Sequence, residues 1–177
     1  MKPHSLDLDD YQDMVAMFHS ESQRGAAVLA GSYLENFLGT YLESRMVDKS
    51  MSDKIFGASG PLSSFSQRID FAHAFGFLQP KVCRQLHLVR KIRNHFAHHP
   101  KEASFSASPA KDWVTNLAAN PPRDSESAGL FAPDDGRLIY LITVGMLFIE
   151  MQRLLVTGKG VPLDEGAEPS ADRPVVS

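Results

Sequence analysis

The segment ESQRGAAVLAGSYLENFLGTYLESRMV constrains this chain most. In it Ala27, Ala30, Leu34, Phe37, Leu38 and Tyr41 recur at steps of three and four. That period gathers them on one face of an α-helix. Gly25, Ala26, Ala27, Ala30 and Gly31 add small side chains along which a second helix can approach closely. A helix with such a face must bury it against other elements, and the rest of the sequence offers helices for the purpose.

PLSSFSQRIDFAHAFGFL puts Leu62, Phe65, Ile69 and Ala72 on one face, with Pro61 placed to open the helix and Gly76 to end or interrupt it. The stretch before it, DKSMSDKIFGASG, reads as a loop. Gln79 and Pro80 restart the chain, and a helix runs from there to about His98. Residues 100–136 read as a long irregular connection rich in Ser, Ala, Pro and Asp, with a short helix around 112–118 that turns Trp113 and Leu117 inward. A very apolar helix follows over 137–156. Its run from Leu138 to Ile149, interrupted only by Tyr140, Thr143 and Gly145, is too short to span a bilayer and predicts a buried helix. Ahead of all these, Ser5 begins a helical pattern, with Asp7, Asp9 and Asp10 near its positive end and Leu6, Met14, Met17 and Phe18 as its apolar residues. Residues 158–177 read as a disordered tail. There is no convincing strand pattern, no glycine-rich phosphate loop and no internal repeat. The expectation is an all-α bundle of four to five main helices, a single domain over residues 1–157.

At 177 residues the chain is long enough to bury a core of its own. Its one cysteine, Cys83, rules out a disulfide within the chain and fits a reducing compartment. The start, MKPHSLDLDD, lacks the basic and apolar stretches of a signal peptide. A cytoplasmic protein without membrane spans is therefore expected. The net charge of −3 hides an uneven distribution. Between Lys81 and Lys101 there are six Lys or Arg, four His and no acid, whereas the other 156 residues carry 12 basic side chains against 21 acidic ones. Such a basic island suits an anion or an acidic face, and is too small to argue for duplex DNA on charge alone.

The island ends in RKIRNHFAHH. On a wheel of about 100° per residue, Val82, Leu86, Val89 and Phe96 share one arc, and Arg93 falls inside it. A charge at such a position needs a partner. Two readings stand: an internal ion pair with Glu35 or Asp70, or an arginine turned toward a dimer partner or an anionic ligand, where its planar fork is favoured. Arg90, Lys91, Arg93 and His95, with Arg68 beside the GASGPLSS turn, are the residues expected at such an interface or anion site. The same turn reads more simply as a capped helix entry using Ser63 or Ser64. Asn94 and His98 are four apart and can touch, while His98 points about 140° away from Arg93. The two could meet if the helix unwinds before Pro100 or if copies meet across a two-fold axis. His95, His98 and His99 also complement the negative end of a helix dipole. His95 and His99 have metal-ligand spacing, but no cysteine stands beside them. Neither metal nor cofactor is expected.

Arg93-Asn94-His95-Phe96-Ala97-His98 resembles the Arg-Asn-x-x-x-His motif of the HEPN superfamily, many of whose members are helical dimers. Some are metal-independent endoribonucleases whose arginine and histidine meet at the dimer interface. A longer resemblance covers residues 21–98. ESQRGAAVLAGSYLENFL, FGASGPLSSFSQRIDFA and the RNHFAH helix are similar to the mannitol operon repressor family of bacterial regulators. It implies a non-enzymatic, homodimeric regulator of transcription. No helix-turn-helix pair with a basic recognition helix is visible, so such a regulator would act through a protein partner rather than by reading DNA. The alternative implied by the shorter motif is a ribonuclease. His98 would deprotonate a ribose hydroxyl, Arg93 would stabilise phosphate charge, and Asn94 would orient one of them, with RNA held along the basic island.

Overall fold

A computed structural model describes residues 16–119 and 135–157 of the chain, and these residues are all-α, with no strand among them. After a helical turn at 16–20, the elements are α1 (Gln23–Ser44), a 3₁₀ turn (Lys49–Met51), α2 (Ser52–Phe56), α3 (Phe65–Ala74), α4 (Pro80–His98), α5 (Ala110–Ala119) and α6 (Gly136–Thr157). The helix expected from Ser5 and the tail expected at 158–177 fall outside the described residues, apart from the turn at 16–20 that buries Phe18.

The long helices begin and end where the sequence places their signals. Ser22 caps α1 by accepting from the Gly25 N–H at 3.0 Å. Pro80 occupies the first turn of α4. The Asp135 carboxylate accepts from the Leu138 N–H at 3.0 Å and so starts α6. α3 ends as Gly76 requires. With φ at 67° this glycine takes the left-handed conformation, and the Phe77 and Gly76 N–H groups return to the Ala72 and His73 carbonyls at 2.9 and 3.0 Å.

Three expectations need correction. DKSMSDKIFGASG is not simply a loop, because Asp48 caps a 3₁₀ turn through Ser50 and α2 follows directly. Pro61 does not open α3. It sits in a turn closed by Leu62 N–H to Ile55 carbonyl (2.9 Å) and Ser63 N–H to Gly60 carbonyl (3.2 Å). Proline's fixed φ serves a turn as well as a helix start, and here the stronger signal is Ser64, which forms a reciprocal capping box with Gln67. The connection after Pro100 is less irregular than its composition suggests, since α5 is ten residues long and buries Ala110, Val114 and Leu117. As expected, Leu117 and Trp113 face inward, Leu117 fully buried and Trp113 half-buried against the core.

α1 lies at the centre and packs on α4 and α6. α3 covers one part of α4, and α5 bridges α4 and α6. The core is built from Leu34 and Leu38 of α1, Leu86, Val89 and Phe96 of α4, and Tyr140 and Leu147 of α6, all fully buried. Burying an aliphatic or aromatic side chain of this kind contributes about 1.5–3 kcal/mol. The small face of α1 sets the distance to α4. A methyl group at Gly31 would stand 2.7 and 2.8 Å from Cβ and Cγ of Arg93, closer than carbon atoms tolerate. No described helix is long and apolar enough to cross a membrane.

Candidate functional site

Arg93 is where sequence reasoning expected it, on the side of α4 that meets α1, with its stem lying against Gly31. One terminal nitrogen, Nη2, forms an ion pair with Glu35 Oε2 of α1. The other, Nη1, donates to Asn94 Oδ1 at 2.8 Å. The pair is shielded but not sealed, with side-chain exposures of 24% for Arg93 and 15% for Glu35. Glu35 is thus the internal partner, whereas Asp70 lies against His87 Nε2 at 3.1 Å. Tyr140 of α6 completes the surroundings, donating its hydroxyl to the Ala27 carbonyl at 2.9 Å. Its complete burial holds the phenol pKa far above the ordinary value, with Arg93 pulling weakly the other way. Tyr140 stood in the sequence only as a break in an apolar run, and its one signal was a hydroxyl in a helix otherwise bound for the core.

Arg68 is engaged within the chain. Its Nε donates to the Leu62 carbonyl at 2.9 Å, its Nη1 donates to the Glu35 carbonyl at 3.1 Å, and its guanidinium lies 5.6 Å from the centre of the Phe56 ring. These contacts hold the turn before α3 against α1. Glu35 therefore anchors two of the three arginines that the sequence singled out, Arg93 through its carboxylate and Arg68 through its backbone.

The remaining residues separate. α4 stays helical through His98, and the His99 N–H closes onto the His95 carbonyl at 2.9 Å, so the last turn does not unwind to bring His98 round to Arg93. His98 is exposed and makes no hydrogen bond or ion pair among the described residues, and Asn94 turns to Arg93 instead of to it. Lys91 is exposed, while Arg90 is half-buried with its Nε enclosed and unbonded. His95 lies under α5, its ring 4.7 Å from that of His99 and edge-on to Trp113 at 5.7 Å. Burial, and then the neighbouring His99, hold the His95 pKa below its ordinary value. No cluster of three or more metal-ligating side chains exists among the described residues. The one thiol, Cys83, is buried and its pKa is pushed up to about 11 by burial and by Asp70, which keeps it protonated and unreactive.

Chemically, this is an arginine neutralised within its own chain. To bind a phosphate it would have to give up Glu35. A histidine general base would have to come from elsewhere than the same turn of helix. Comparison of the chain with protein-family models, with curated proteins and with solved structures finds no match.

Proposed function

We propose that this chain is a non-enzymatic cytoplasmic regulator that works as a homodimer and acts on transcription through a protein partner, as its resemblance to the mannitol operon repressor family implies. The observation that carries this reading is the engagement of both terminal nitrogens of Arg93, by Glu35 and by Asn94. An arginine so held supports the packing of α4 on α1, and it would have to give up these partners to stabilise charge on a substrate. The acidic balance of the chain outside 81–101 also favours protein partners over nucleic acid.

A second reading, a metal-independent endoribonuclease, draws on one specific observation: Arg93 keeps 24% exposure and His98 is exposed, so the two could meet across a pair of chains. Complementation separates the two. The regulator reading expects altered transcript levels in a strain lacking the protein, restored by wild type and equally by a folded His98→Ala variant. Restoration by wild type but not by His98→Ala would favour the nuclease.

A further inference from the structure

The outer face of α4 carries a second set of cations that the Arg93 network does not use. Lys81, Arg84 and Lys91 line a half-open cavity of about 400 Å³, with His87 and Leu88 among them and Asn116 of α5 on the facing side. Gln85, 1% exposed as a residue, also lines this space. Pockets for small ligands run from about 300 to 1,000 Å³, so the space suits a compact molecule.

Its charge is out of balance. A solvated helix face normally sets acids three or four residues from its bases, and this one has none from 81 to 101. Among the described residues no acid pairs with Arg84 or Lys91, and Asp70 takes up His87 instead. Lys81 stands at the positive end of the helix dipole, in a first turn with no acid and no side-chain cap at Gln79. Each of these arrangements costs helix stability, and a bound anion relieves all of them together.

We propose that this cavity between α4 and α5 is a binding site for a small organic phosphate, with Arg84 and Lys91 gripping the phosphate and Leu88 and Asn116 walling the space for the rest of the ligand. Arginine's two-point fork and lysine's compact charge match a phosphate dianion. A nucleic-acid strand fits less well, because the basic stripe extends only about 15 Å along the helix and the chain around it is acidic. The site is independent of the Arg93 network and does not rest on the regulator reading.

Calorimetric titration of the full chain with ribose 5-phosphate, inorganic phosphate and ribose tests it. Ribose 5-phosphate should bind with a Kd of about 1 mM or tighter, more tightly than inorganic phosphate, while ribose should not bind. The Arg84→Gln/Lys91→Gln variant, altered only at exposed positions, should keep its melting temperature and lose about tenfold or more in affinity. Absence of binding by both phosphates, or equal binding by the variant, would overturn the assignment. So would a uridine oligonucleotide that binds through the same residues more tightly than ribose 5-phosphate, since the face would then belong to RNA.

Discussion

Two faces of one helix treat positive charge in opposite ways. Where α4 packs on α1, Arg93 is matched by Glu35 and Asn94, and its stem fits a groove that only glycine leaves open. On the outer face Arg84 and Lys91 have no acidic partner among the described residues. A cation that must be shielded is neutralised by the fold itself, because leaving it unpaired would cost several kcal/mol. A cation in water costs only tenths of a kcal/mol to leave unmatched, so it can be kept for something outside the chain.

The sharpest way to break the contrast is at the seam. Gly31→Val should destabilise the protein by about 3 kcal/mol, since its side chain would collide with the near end of Arg93 rather than with a flexible tip. Chemical denaturation monitored by far-UV circular dichroism would measure it, and a loss below about 1 kcal/mol would mean that α1 and α4 separate easily.

Next comes the pair itself. Glu35→Leu should cost about 2 kcal/mol, less than for a fully buried pair because water still reaches Arg93. The double variant Glu35→Leu/Arg93→Met should recover most of that loss in the same assay. Additive losses in the cycle would show that the two side chains do not depend on each other.

A smaller effect lies where the outer stripe passes beneath α5. His95 has its pKa depressed in the folded state, so the unfolded chain takes up its proton first as the pH falls. Its contribution is fully present above the ordinary histidine value of 6.5 and is lost as the pH drops through the lower folded value. Denaturant midpoints should therefore decline on acidification across that window, and His95→Phe should flatten the decline. Trp113, the sole tryptophan and the ring against which His95 packs, gives a direct fluorescence readout.

The smallest effect is on the outer face. Arg84→Gln or Lys91→Gln should leave stability unchanged or raise it by a few tenths of a kcal/mol at low salt, because each relieves repulsion. A clear loss of stability would reveal an internal partner and erase the difference between the faces.

Much of this was legible in the sequence. The period of α1, the proline at the start of α4 and the glycine after α3 mark those elements because each signal has a local cause. Arg93 stood out because a charge in an apolar arc demands a partner, and Glu35 was one of two acids available. The destination of Arg68 was hidden, since its acceptors are backbone carbonyls that carry no sequence signature. Asn94 was paired with His98 by spacing, yet turned to its neighbour Arg93, because a charged donor outcompetes an exposed ring. The outer cavity also escaped notice. The basic island was legible as a place for an anion or an acidic face, but which of its cations line a cavity depends on where α5 places Asn116.

The most direct test of the role of Arg93 is an RNA-cleavage assay in EDTA with wild type beside folded Arg93→Ala and His98→Ala proteins. If Arg93 serves the fold, wild type leaves mixed RNA intact, as do both variants. Cleavage by wild type that disappears in both variants would contradict this and make RKIRNHFAHH an active site.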